Sequence, residues 1–128
     1  MLHLETVEPG TFSILKNLLE LPELQDFYLV GGTALSLLYG HRTSIDIDLF
    51  SNNRFDNDLI IKALEKQFQQ NLNVRTSTHF GIFAFIDDVK VDFVWFPHPI
   101  IKQPMIIDEI RMYTPEDIIA MKVQAILG

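Results

Sequence analysis

The chain has 128 residues, of which 48% are hydrophobic and 21% charged, with a formal net charge of -7 and no cysteine. That length and balance fit one globular domain with a real core, and they exclude a mainly disordered chain, a disulfide framework and a thiolate metal site. The acidic balance argues against a generally basic, nucleic-acid-coating surface but leaves room for a local basic pocket.

In chain order, Pro9-Gly10 opens the first ordered element. Thr11 is placed to cap a helix carrying Phe12, Leu15, Leu18 and Leu19, and Pro22 ends it. Phe27-Tyr28-Leu29-Val30 is a short, β-prone apolar run that stops at Gly31-Gly32, after which Thr33 through Tyr39 reads as a short helix closed by Gly40. Thr43 to Phe50 alternates, with Ile45, Ile47 and Leu49 on one face and Ser44, Asp46, Asp48 and Phe50 on the other, which is a strand. Asp56 caps a further helix with Leu59, Ile60, Ala63, Leu64 and Phe68, and a strand is expected near Val74 to Thr78. Residues Gly81–Ile86 and Val89–Phe96 form a hairpin turning at Asp87-Asp88, with Phe83, Phe85, Phe93 and Trp95 expected in the core. Ile110 to Tyr113 reads as a short edge strand, and Thr114-Pro115-Glu116-Asp117 starts a last helix that runs to Gly128.

No repeat, linker or low-complexity stretch divides residues 1–128, so one domain is expected. No apolar run approaches the ~18 residues needed to span a bilayer. Met1-Leu2-His3-Leu4-Glu5 lacks the basic start of a signal peptide. The expected location is cytoplasmic, with no membrane partner.

Asp46 and Asp48 leave the same face of one strand. Two carboxylates held so close repel unless a cation lies between them or one takes a proton. Mg²⁺ is the natural partner, since it prefers oxygen ligands and usually also takes substrate phosphates. The alternative for this pair is an exposed strand face that carries two acids. Asp92 adds weight to the metal reading, because it lies in the apolar run Val91-Asp92-Phe93-Val94-Trp95-Phe96, where an ionised carboxylate needs a compensating charge. A structural Asp paired with a basic side chain would also satisfy that need.

Gly31-Gly32 lies between a strand and the helix that Thr33 begins, where glycines let the backbone approach a ligand and a helix N-terminus offers amides to a phosphate. Arg42 and Ser44 precede the acid pair and are placed to contact a triphosphate, though a surface role fits Arg42 equally. Lys122 falls on the apolar stripe of the last helix, between Ile118 and Ile126, directed either at a carboxylate–phosphate centre or outward to water. The four histidines show no metal-ligand spacing.

Two stretches, from Phe27 to Leu35 and from His41 to Phe50, resemble the nucleotidyltransferases of the AbiEii/AbiGii toxin family in the DNA polymerase beta-like superfamily. The closing run from Thr114 to Ile126 is similar to that family's last core motif. The resemblance implies the nucleotidyltransferase fold, an α/β (α+β) domain with a small mixed β-sheet flanked by helices. It implies Asp46, Asp48 and Asp92 as ligands of Mg²⁺, two ions with bound NTP. Lys122 joins these acids as a catalytic residue, and Gly31, Gly32, Thr33, Arg42 and Ser44 are assigned to nucleotide binding. The implied reaction moves a nucleoside monophosphate from an NTP to an RNA (for instance tRNA) or protein acceptor, in a toxin that pairs with an antitoxin protein or serves phage defence. The family usually continues past the lysine helix into further helices, which residues 1–128 lack. A non-catalytic nucleotide-binding or protein-interaction remnant of the fold is the alternative.

Overall fold

The computed structural model describes residues 2–40, 46–97 and 102–127, without the side chains of Thr6 and residues 122–127. Four α-helices and seven strands follow the order α1 (Pro9–Leu19), β1 (Tyr28–Val30), α2 (Gly31–Tyr39), β2 (Ile47–Ser51), α3 (Asn57–Phe68), β3 (Leu72–Thr78), β4 (Gly81–Ile86), β5 (Val89–Trp95), β6 (Met105–Ile107), β7 (Ile110–Met112) and α4 (Pro115–Leu127). The strands form one mixed sheet in the order β3-β4-β5-β2-β1-β7-β6. β2 runs parallel to β5 and β1 parallel to β7, while the other neighbours are antiparallel. This is the mixed α/β architecture expected from the sequence.

Strict alternation divides the sheet into two unlike faces. Leu29, Ile47, Leu49, Ile82, Val91 and Phe93 are fully buried and stand opposite one another across the strands. Ile14, Leu15 and Leu18 of α1 and Ile60, Leu64 and Phe68 of α3 join them in one cluster. The other face carries Val30, Asp48, Phe50, Asp92, Phe83 and Phe85, and apart from Val30 these remain half-buried. Phe83 and Phe85 therefore lie on the face opposite Phe93, not in the core. Their run is continuously apolar, which hides the alternation.

Caps and turns follow local chemistry, with some departures from expectation. Glu8, not Thr11, caps α1 by accepting from the Thr11 amide, and Thr11 is buried inside the helix. Asp56 caps α3 by accepting from the Asp58 and Leu59 amides. The β4–β5 hairpin turns at Asp87-Asp88, both with positive φ (49° and 67°), as a two-residue turn matching strand twist requires. A second such turn at Asp108-Glu109 (51° and 69°) joins β6 to β7. β6 was not expected from the sequence, and it takes the edge position there, leaving β7 inside the sheet.

Arg111 on β7 donates to the carbonyls of Leu19 (2.8 Å), Leu24 (2.9 Å) and Phe27 (3.3 Å). It thereby closes the main-chain groups left open between α1 and β1. Arg111→Ala removes the side-chain donor from all three carbonyls, leaving that of Leu24 with the Phe27 amide alone, and a urea titration is expected to show a loss of about 2–4 kcal/mol. Arg111→Lys is expected to recover only part, because an ammonium lacks the forked geometry.

Candidate active site

The half-buried face of the sheet gathers the acids. β2 and β5 are parallel neighbours with Asp48 directly opposite Asp92. The same row continues to Phe83 on β4 and Val30 on β1. β1 ends at Val30, and Gly31 turns into α2 with φ +76°, a left-handed conformation that favours glycine. A Cβ at Gly31 would stand 2.5 Å from Asp48 Oδ2, so any other residue would strain the turn and push this carboxylate aside. Asp46 lies one residue before β2, with an exposed side chain. Its main chain is held by the Thr33 hydroxyl, which donates to the Asp46 carbonyl.

Burial and like charge act together on these acids. Burial pushes the Asp48 carboxyl up to about 6; the Asp92 and Asp46 charges add to this, and Lys90 opposes it. Asp92 is raised as well, first by burial, then with Asp46 raising and Lys90 lowering it. Lys90 Nζ reaches Asp92 Oδ2 at 3.7 Å, but its side chain is 53% exposed, so water screens the pair. Asp92 Oδ1 is buried and has no hydrogen-bond partner among the described residues. An orphaned carboxylate oxygen beside a second carboxylate that burial and like charge disfavour in its ionised form fits a divalent ion.

Beside Asp48 a hollow of about 270 Å³ is lined by Val30, Gly31, Asp48, Phe50, Phe96, Ile118 and Met121. The Phe50 and Phe96 rings stack at 5.4 Å. α4 supplies Ile118 and Met121, and its start is fixed by reciprocal bonds between Thr114 and Asp117, with Asp117 also accepting from the Lys102 amide.

The sequence model of the family described as "Nucleotidyl transferase AbiEii toxin, Type IV TA system" matches residues 13–128. The chain belongs to this family. An uncharacterized Aquifex aeolicus protein is 29% identical over 116 residues, covering 88% of this chain and 55% of that protein. Among solved structures, a putative nucleotidyltransferase from H. pylori superposes with a TM-score of 0.58 at 19% identity, over 91% of this chain and 59% of that one. A putative nucleotidyltransferase from Thermotoga maritima superposes with a TM-score of 0.60 at 16% identity, over 93% and 86%. The chain thus spans little more than half the length of the Aquifex and Helicobacter proteins, and at these identities the two structures speak for the fold alone.

For the AbiEii-family site, the structure brings together Gly31, Gly32, Thr33, Asp46, Asp48 and Asp92. Thr33 is buried and commits its hydroxyl to Asp46, so its side chain positions an acid instead of facing a ligand. The three acids are close enough to perturb one another, yet among the described residues no three His, Cys, Asp or Glu side chains form a closed ligand set. Arg42 and Ser44 lie outside the described residues, as do the Thr43 and Ile45 positions of the expected strand, and so does the Lys122 side chain. No described helix is long and apolar enough to cross a membrane. Lys90 and the Phe50–Phe96 pair were missed in the sequence. The signal was there for two of them, because Lys90 is two residues from Asp92, and Phe50 two from Asp48, on the same strand face.

Because Asp48 is raised in the folded state, the folded protein binds more protons than the unfolded chain between its ordinary value of 3.8 and about 6. Its contribution to stability is full below that window and is lost as pH rises through it. Metal-free protein is therefore expected to melt at a lower temperature at pH 7.5 than at pH 5. Asp48→Asn, which removes the charge but keeps the shape, is expected to flatten this slope and to raise the neutral-pH Tm by several degrees. An unchanged slope in the variant would assign the pH dependence elsewhere.

Proposed function

We propose that this chain forms the catalytic core of a Mg²⁺-dependent nucleotidyltransferase, moving a nucleoside monophosphate from an NTP to an RNA or protein acceptor. The observation that carries this reading is the in-register pair Asp48–Asp92, with its orphaned oxygen, standing against Gly31 at the start of α2. The N-cap residue of α2, Val30, makes no side-chain cap hydrogen bond, and a helix N-terminus is a position where a phosphate can meet backbone amides. A triphosphate there would face the Asp48 carboxylate, and two anions approach only with a cation between them. Asp46, Asp48 and Asp92 would hold Mg²⁺, two ions once the NTP is bound. Bound there, Mg²⁺ would neutralise phosphate charge and lower the pKa of the acceptor hydroxyl.

The residues then divide the work. The Gly31, Gly32 and Thr33 amides hold the phosphates, and Thr33 keeps Asp46 in place. The hollow against α4 takes the ribose and base, which Phe50 and Phe96 pack against by shape and stacking. By family resemblance, Arg42, Ser44 and Lys122 add polar and cationic contacts to the triphosphate. In the reaction the acceptor hydroxyl passes its proton to a carboxylate of the site or to water, and its oxygen bonds to the α-phosphorus. The bond to the β-phosphate oxygen breaks and pyrophosphate leaves. Within a toxin–antitoxin pair this activity would be the toxin's, carried out in the cytoplasm and restrained by an antitoxin protein.

A non-catalytic nucleotide-binding or interaction module draws support from one observation, the exposed Asp46 in a set of acids that is not closed. One assay separates the two. With α-labelled NTPs, Mg²⁺ and total RNA, label is expected to move to an acceptor. Asp48→Asn and Asp92→Asn are each expected to reduce this at least about a hundredfold, since even outer-shell partners of a metal cost ~10–100-fold. NTP binding by calorimetry without label transfer would favour the module. Transfer that survives Asp48→Asn would sink the enzyme reading of this site.

A further inference from the structure

The two oxygens of Asp92 have unlike surroundings. Oδ1 is buried without a hydrogen-bond partner among the described residues, while Oδ2 meets the Lys90 ammonium at 3.7 Å. Lys90 and Asp92 are two residues apart on β5, so both side chains leave the same face of the sheet. Among the described residues, Lys90 is the one cation in an ion pair with any of the three acids.

This contact is made so that it can be replaced. The Lys90 side chain is 53% exposed, so water solvates the ammonium and weakens its hold on Asp92. The separation is longer than the ~2.7–2.9 Å of a charge-assisted hydrogen bond. The ammonium also has somewhere to go. Lys90 borders a hollow of about 360 Å³ that Phe83 and Phe85 help to line. Phe85 stands directly opposite Lys90 on β4 and is half-exposed. Its ring offers the flexible lysine stem an apolar surface and the ammonium a π face, with no movement of the strand.

Charge decides which cation keeps the carboxylate. An ammonium brings one charge to Oδ2 alone. A divalent ion brings twice the charge, is drawn to oxygen ligands and gives the orphaned Oδ1 a partner. Two cations on one carboxylate repel each other, so the pair with Lys90 and the bond to the ion are alternatives.

We propose that Lys90 is a positioning residue that stands in for the divalent ion. It holds the Asp92 carboxylate in the site until the ion binds, then releases it and turns onto Phe85. Because each binding event breaks the pair, Lys90 sets the affinity of the site for the ion. This rests on the metal site of the nucleotidyl-transfer reading above.

The test joins lysine side-chain NMR to Mn²⁺ titration followed by electron paramagnetic resonance. The proteins are chelator-treated wild type, Lys90→Met, Lys90→Arg, Asp92→Asn and the control Lys62→Met, at an exposed position of α3. The Lys90 Cε–Hε signal, assigned by its loss in Lys90→Arg, is expected to move when Mg²⁺ is added to wild type. In Asp92→Asn, where the ion pair cannot form, it is expected at the displaced position without Mg²⁺. The Kd for Mn²⁺ is expected to fall about two- to fivefold in Lys90→Met, and to keep its wild-type value in Lys90→Arg and Lys62→Met. A Lys90 signal that does not move while wild type takes up Mn²⁺ overturns the exchange and leaves the metal site standing. Equal or weaker Mn²⁺ binding by Lys90→Met overturns it as well. No Mn²⁺ uptake by wild type removes the metal reading of the acids, and the exchange falls with it.

Discussion

Two carboxylates, Asp48 and Asp92, face each other across parallel strands in a half-buried position, and the remaining geometry of the site follows from keeping them there. Parallel pairing of β2 with β5 sets them side by side, and the fully buried residues on the opposite face lock the register. A slip of one residue in either strand would turn its acid into the core. The left-handed turn at Gly31 lets the start of α2 pass against Asp48, and the Thr33 hydroxyl ties Asp46 to the same turn. Burial and like charge raise both carboxyls. The folded state thus holds local electrostatic strain that a divalent ion would relieve.

The acid pair also divides the surface into unlike halves. On the Asp48 side, α4 brings Ile118 and Met121 over the sheet to make an apolar hollow. The Thr114–Asp117 cap, with the Lys102 amide on Asp117, fixes where that helix starts. On the Asp92 side the sheet stays open, and its lining turns aromatic and basic. A nucleotide and an acceptor differ in the same sense, one small and largely enclosed, the other long and extended.

Much of this was legible in the sequence where alternation or turn chemistry was clean. Ile45-Asp46-Ile47-Asp48-Leu49 alternates apolar and acidic residues, so strand and face were both readable, and Asp87-Asp88 between two apolar runs marked the hairpin. Asp92 was legible as a carboxylate that its neighbours cannot tolerate unpaired. Other features left no such trace. Gly81–Ile86 is apolar throughout, so its sequence does not say that Phe83 and Phe85 leave the core. The register slip of β3 against β4 between Val74 and Thr76, which leaves Arg75 as the extra residue of a bulge, is a property of the pairing and cannot be seen in β3 alone. β6 is three residues long and turns at Asp-Glu, a pair with little turn preference, so β7 looked like an edge. Thr11 was a good capping residue by type, but Glu8 had the position, one residue before Pro9.

The central claim is that Asp48 and Asp92 together hold a divalent ion that carries the nucleotide. Mn²⁺ in place of Mg²⁺ tests it most directly, through the electron paramagnetic resonance signal of the free ion in titrations with and without NTP. The account predicts that wild-type protein takes up Mn²⁺, more tightly with NTP present, and that Asp48→Asn and Asp92→Asn each lose this uptake while remaining folded. Undiminished Mn²⁺ uptake in both variants would contradict it.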